Sequence, residues 1–159
     1  MADLIVRLYD LPEFDAVKMA QQGVTVRRAM APERRLILEW VTRVFHDGWA
    51  SEVEIGFSAH PISVWVATRN NALLGFAATD ATAKGFFGPT GVAPEERGQG
   101  IGEALLYAAL GGMRDAGYAY AIIGNPGPLE FYRKRVTGLE IPGSAPGPYR
   151  GMLSREHDL

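Results

Sequence analysis

The chain has 159 residues, no cysteine and a formal net charge of −2 at pH 7. Its length predicts one domain, residues 1–159, that buries about two thirds of the surface exposed by the unfolded chain, and the lack of cysteine excludes disulfides, thiolate metal sites and a cysteine nucleophile. Neither a basic surplus nor an apolar run of roughly 18 residues is present, so we expect a cytoplasmic, soluble protein without nucleic-acid or membrane partners.

The first residues predict a short strand and a short helix. LIVRLY at 4–9 has strand composition, and PEFDAVKMAQ at 12–21 has a proline early in its first turn, as helices prefer. Gly23 then ends the helix, and apolar and polar residues alternate over 24–27, which predicts a half-buried strand. We divide the chain here into an N-terminal extension, residues 1–23, and a core, residues 24–153.

Two helices and a hairpin follow. Leu36, Trp40 and Val44, joined by Ile37, Val41 and Phe45, recur at the spacing of one helical face after Pro32. Residues 48–57 predict a second, shorter helix. Strand-like runs at 63–68 and 72–79 flank Arg69-Asn70-Asn71, whose asparagines suit a tight turn. We predict a β-hairpin here, and we assign Trp40 and Trp65 to the core.

The strand predicted near residues 84–93 contains Gly88, Pro89 and Gly91. Such residues weaken a central strand and mark a bulge or the close approach of another backbone or a ligand. After it we predict a helix from Ile101 to Gly117, a buried strand at 119–123, a short helix from Pro128, and weak strands near 139–142 and 149–153. The element order indicates a mixed α/β fold.

The segment GVAPEERGQGIGEALL at 91–106 joins this interrupted strand to the helix. The first turn of a helix has unpaired N–H groups and a partial positive charge, and glycines let an anion approach them closely. Arg97 adds a full positive charge beside this turn. The segment therefore predicts an anion site, although a glycine-rich turn without a ligand fits the same pattern.

Two other phosphate motifs do not fit the segment. A P-loop needs Lys-Ser/Thr after its second glycine, whereas Glu103-Ala104 follow Gly102 here. A dinucleotide fingerprint would need glycine at position 103, and the neighbouring hairpin argues against a doubly wound parallel sheet. A nucleotide-binding protein is thus an alternative that these two motifs do not support.

Residues 97–102, RGQGIG, fit the pattern Arg/Gln-x-x-Gly-x-Gly/Ala. This resembles the acyl-CoA signature of the GCN5-related N-acetyltransferase (GNAT) superfamily, and the resemblance extends over residues 92–106 and over the element order from about 24 to 153. It implies a central, mostly antiparallel sheet flanked by helices. It also implies that two strands splay apart and that the pantetheine arm of CoA lies between them.

The resemblance also implies roles for individual residues. The Val92 backbone would contact pantetheine, Asn125 would bond the cofactor arm, and Tyr132 would act as general acid at the CoA sulfur. The amides that would hold the diphosphate belong to Arg97, Gly98, Gln99, Gly100, Ile101 and Gly102. Asn125 also fits an ordinary turn, Tyr132 also fits a core position, and the five residues between Tyr132 and Gly138 exceed the usual spacing.

Residues 44–68 contain no lysine or arginine, and in this family the corresponding region helps to form the acceptor pocket. Trp49, Glu52 and Glu54 are therefore our candidate substrate-binding residues, because aromatic and acidic groups suit a cationic amine. The general base stays open. Its candidates are His46, Asp47, Glu52, Glu54, His60 and Asp80.

The family resemblance implies an N-acetyltransferase that moves the acetyl group of acetyl-CoA to a primary amine of a small molecule or peptide. The expected mechanism is direct attack in a ternary complex, without a metal. Homodimers are common among related proteins, so a homodimer is possible here. The alternative is an acyl-CoA sensor or interaction module without transferase activity.

Overall fold

The computed structural model describes residues 1–154, and its strands form one mixed sheet in the order β2-β3-β4-β5-β6-β1-β7. All neighbouring strands are antiparallel except β5 and β6, which are parallel. The predicted mixed α/β fold with a mostly antiparallel sheet is confirmed. The strands are β1 (Leu4–Arg7), β2 (Thr25–Arg28), β3 (Val64–Arg69), β4 (Ala72–Thr79), β5 (Phe86–Val92), β6 (Tyr120–Ile123) and β7 (Gly138–Glu140).

Within residues 1–154 five α-helices cover the sheet, and two of them differ in detail from the predictions. They are α1 (Ala16–Gln21), α2 (Arg34–Val44), α3 (Asp47–Gly56), α4 (Ile101–Asp115) and α5 (Leu129–Arg133). Helix α1 is shorter than predicted because it begins after Asp15, whose carboxylate accepts the Lys18 N–H at 3.0 Å as an N-cap. In α2 the buried face contains Ile37 and Trp40, whereas Leu36 is 61% exposed.

Alternation along the central hairpin divides the core into two layers. Trp65 and Ala77 face the layer that contains α1 and α4, whereas Val64 and Phe76 face the layer of α2 and α3. Successive side chains of a strand point to opposite faces, so each strand contributes to both layers. Trp40 and Trp65 are both buried, as predicted.

Strand β1 lies inside the sheet, between β6 and β7. Its Leu4 and Val6, and Leu8 just after it, are almost completely buried. The division of the chain at residue 24 stays a prediction. The structure nevertheless makes the N-terminal residues part of the same sheet and core as the rest.

Two predictions for chain ends are wrong. Residues 8–10 do not extend the first strand but form a 3-10 turn, and the strand expected at 149–153 is replaced by a 3-10 turn at Gly147–Tyr149. Gly151 has a φ angle of +73° and the Met152 N–H donates to the Tyr149 carbonyl at 3.0 Å, so the backbone closes a turn where the strand was expected. Within residues 1–154 no helix is long and apolar enough to cross a bilayer.

Candidate active site

A gap opens in the sheet where β5 and β6 separate. The two strands pair only at Phe86–Ile122 and Phe87–Ile123, directly before Gly88 and Pro89. The Ala93 N–H donates to the Leu74 carbonyl of β4 at 2.8 Å, and because peptide groups alternate along a strand, those of Val92 and Thr90 face the gap. The predicted splayed strand pair is therefore confirmed.

A cleft of about 740 Å³ occupies this gap and reaches the glycine-rich loop. Gly98 and Gly100 have φ angles of +82° and +84°, and no atom lies within 4 Å of the place where a Gly98 Cβ would stand. No side chain caps α4, so the N–H groups of its first turn have no local acceptor. Together with the helix dipole, this leaves a positive backbone surface at one end of the cleft.

Three cationic side chains line the cleft, and sequence analysis found one of them, Arg97. Its Nε donates to the Val92 carbonyl at 3.2 Å. Lys18 comes from α1, and no local pattern connects that helix with the loop. Arg135 lies 4.1 Å above the Phe131 ring, and its Nε is 3.3 Å from a Glu103 carboxylate oxygen.

Hydrogen bonds from Arg69 and Gln22 hold the glycine-rich loop in place. Arg69, at the end of β3, bonds Glu96 at 2.9 Å and the Gln99 side-chain oxygen at 3.0 Å. The Gln99 side chain also donates to Glu96 at 3.1 Å, and the Gln99 carbonyl accepts from Gln22 at 3.1 Å. The Gln99 side chain and carbonyl thus fix the loop, Gln99 does not line the cleft, and only its N–H is left for a ligand.

Tyr132 lies where the two strands separate. Its ring is 6.5 Å from the ring of Phe87, the last β5 residue paired with β6, and 5.1 Å from that of Phe131. The side chain lines the cleft and is only 6% exposed, and burial raises the pKa of its hydroxyl to about 12. The hydroxyl is therefore protonated at neutral pH, and no group in residues 1–154 accepts its hydrogen bond.

Aromatic side chains close the cleft on the side of α2 and α3. The Phe45 ring fills the place that a Gly91 side chain would occupy. Trp49 packs 4.9 Å from Phe45, measured between ring centroids, and both side chains line the cleft. This wall is apolar, and of the three predicted substrate-binding residues it contains only Trp49.

The other two predicted acceptor residues, and Asn125, lie outside the cleft lining. Glu54 forms an ion pair with Arg34 of α2, and the Glu52 carboxylate accepts from the Thr82 hydroxyl at 2.6 Å. The Asn125 N–H donates to buried Asp3 at 3.1 Å.

None of the six candidate bases lines the cleft in the described part of the chain. His46 accepts the Trp49 N–H at 3.3 Å and caps α3. Asp80 accepts from the Gly85 N–H at 2.7 Å and from the Tyr118 hydroxyl at 3.0 Å, and these bonds stabilise the turn before β5. Over residues 1–154, no three Asp, Glu or His side chains converge as metal ligands would.

Known proteins support the assignment of the fold. Residues 60–135 match the acetyltransferase (GNAT) domain model. A region of a fungal multi-domain GH3 β-N-acetylglucosaminidase, described as a GCN5-related glucosamine N-acetyltransferase, superposes with a TM-score of 0.72 at 19% identity and covers 88% of this chain. A GCN5-related N-acetyltransferase from Sphaerobacter thermophilus gives a TM-score of 0.65 at 22% identity over 86% of this chain.

The chain spans 19% of the first of these proteins and 48% of the second. No curated protein sequence matches it. The match over 60–135 includes the glycine-rich loop and Tyr132. Residues 60–135 are thus similar to the GNAT acetyltransferase domain, and the chain has the fold of GNAT acetyltransferases.

Proposed function

We propose that this protein transfers the acetyl group of acetyl-CoA to a primary amine of a small molecule or peptide. One observation carries the proposal: a single cleft joins the open glycine-rich loop, the splayed strands and the protonated hydroxyl of Tyr132. An anion site, an unpaired strand edge and a proton donor are the three features that a CoA thioester needs along its length.

The residues present fit acetyl-CoA. The amides of residues 97–102 would hold the diphosphate, since Gly98 and Gly100 leave the backbone uncovered. The Val92 N–H, which faces the gap between the strands, would bond the pantetheine arm, whereas its carbonyl accepts from Arg97. When bound, acetyl-CoA supplies an acetyl group already activated as a thioester.

Tyr132 is the proposed general acid. Burial holds the proton on its hydroxyl oxygen, so the group can donate a hydrogen bond to sulfur as negative charge develops there. A thiol with a pKa near 8.5 is a stronger acid than this tyrosine, so full proton transfer is unfavourable. The contribution of Tyr132 is therefore a strong hydrogen bond to the leaving group.

The acceptor must lose a proton before it attacks. For an alkyl amine with a pKa of about 10.4, this costs about 4.6 kcal/mol at pH 7. The two acids that line the cleft, Glu96 and Glu103, already face Arg69 and Arg135. We propose that solvent takes the proton and that Trp49 and Phe45 hold the amine by contact with their rings.

The test combines binding and turnover. Calorimetry measures CoA affinity, and a thiol reagent measures CoA release from acetyl-CoA with glucosamine, phenethylamine, spermidine and a lysine peptide as acceptors. We expect release with at least one amine, and we expect Tyr132→Phe to lower kcat by about 100-fold or more while CoA affinity changes less than about twofold. CoA binding without release from any amine would instead favour the sensor alternative.

A further inference from the structure

We propose that Lys18 binds the diphosphate of CoA, so that α1 completes a cofactor site whose other residues lie within 60–135. This inference rests on the proposed function. It adds a residue that the glycine-rich motif does not contain, and it makes the N-terminal segment part of the binding site.

The position of Lys18 carries the proposal. Its Nζ atom lies 3.2 Å from the place where a Gly100 Cβ would stand, and Lys18 lines the same cleft as Arg97 and Gly98. Gly100 is the N-cap residue of α4, so the Lys18 ammonium lies close to the start of that helix. A phosphate held by the amides there would meet the Lys18 charge directly.

The loop and α1 are joined by hydrogen bonds, so the position of α1 beside the loop is fixed. The Gln22 side chain, at the end of α1, donates to the Gln99 carbonyl at 3.1 Å, and the Arg69 Nε donates to the Gln22 carbonyl at 3.1 Å. Met19 is buried and its methyl group also approaches Gly100. The helix that carries Lys18 therefore cannot shift without breaking contacts to the loop.

The charges around Lys18 indicate which phosphate it binds. Within residues 1–154 its ammonium forms no ion pair. A second cavity of about 260 Å³ shares Lys18, Gly100 and Glu103 with the main cleft and is also lined by Glu13 and Asp15, which do not line the main cleft. Glu103 faces Arg135, whereas Glu13 and Asp15 repel a phosphate in the second cavity, so the anion that Lys18 binds lies in the main cleft beside the loop, where we place the diphosphate.

The experiment measures the affinity of the full chain for CoA and for dephospho-CoA, which keeps the diphosphate but lacks the 3′-phosphate. Lys18→Met removes the charge and keeps the side-chain length, Lys18→Arg keeps the charge, and Lys84→Met is the control at an exposed lysine outside the cleft. We expect Lys18→Met to lower the affinity for both ligands by about five- to tenfold. The affinities of Lys18→Arg and Lys84→Met should stay close to wild type.

Two results would overturn the inference: equal CoA affinity of wild type and Lys18→Met, or a loss confined to CoA and absent with dephospho-CoA. Failure of the proposed function looks different, because wild-type protein would then either bind neither ligand or bind CoA without releasing it from acetyl-CoA with any amine. Thermal unfolding of each variant shows that the fold is intact. If Lys18→Met lowers Tm, Lys18→Gln provides the same measurement.

Discussion

Arg69 and Glu96 form a salt bridge of 2.9 Å directly behind the glycine-rich loop. Glu96 lines a cleft that we propose binds a dianionic diphosphate, so a free carboxylate at this place would oppose binding. The guanidinium neutralises it and also bonds the Gln99 side chain. The pair therefore sets both the charge and the shape of the loop.

Replacement of Arg69 should weaken CoA binding although Arg69 itself does not line the cleft. We expect Arg69→Met to raise the Kd for CoA by about tenfold, because the Glu96 charge then has no guanidinium beside it and the loop loses two hydrogen bonds. Adding Glu96→Gln to Arg69→Met should recover part of the affinity. A double-mutant cycle by calorimetry measures this, and additive losses would contradict the coupling.

The same pair predicts a pH dependence of stability. The hydrogen bond from Arg69 lowers the pKa of Glu96 below its ordinary value of 4.5. A carboxyl whose pKa is lower in the folded state contributes stability above its unfolded pKa, and this contribution is lost as pH falls through the folded pKa. We expect the Tm difference between wild type and Glu96→Gln to be present at pH 7 and to vanish on acidification below that pKa. A difference that does not change with pH would contradict the prediction.

Substitution of Gly102 tests ligand binding at the loop with little effect on folding. A Gly102 Cβ would have its nearest neighbour at 3.6 Å, so the folded chain accepts a Cβ there, but a longer side chain would extend into the cleft. We expect Gly102→Leu to leave Tm close to wild type and to weaken CoA binding by about tenfold or more. Gly111→Leu, in the same helix but outside the cleft, should raise Tm without a change in affinity. Equal CoA affinities for the two variants would argue against a cofactor at the loop.

Tyr132 should not limit turnover at alkaline pH. Because burial raises the pKa of its hydroxyl to about 12, the proton stays on the oxygen while the acceptor amine deprotonates. We expect kcat/KM to rise with pH and to show no descending limb below about pH 10. A descending limb in wild type that Tyr132→Phe abolishes would mean that the tyrosine ionises much earlier.

Strand β1 should be required for folding, although it lies far in sequence from the GNAT match. Leu8, directly after β1, is fully buried, whereas Leu139 of β7 is 73% exposed. We expect Leu8→Ala to lower the free energy of unfolding by about 2–5 kcal/mol and Leu139→Ala to change it by less than about 0.5 kcal/mol. Urea titrations give both values, and a small loss for Leu8→Ala would mean that β1 is dispensable.

The sequence predicted the elements whose information is local. Asn70 and Asn71 have positive φ angles in the hairpin turn, and Gly100 has one at the start of α4. Turn residues, glycine positions and helical periodicity act within a few residues of each other, so their pattern can be interpreted without knowledge of the rest of the chain. The interruption of β5 and the anion-binding loop were predicted on this basis, and the family resemblance followed from the loop.

The tertiary structure alone decided which distant side chains share the cleft. Lys18 reaches the loop because α1 packs on it, and Arg69 reaches Glu96 from the neighbouring hairpin. Glu52 and Glu54, which composition assigned to the acceptor, instead face Thr82 and Arg34. A local pattern fixes the backbone of each segment, but the partner of a side chain depends on how remote segments pack, and no short stretch of sequence contains that information.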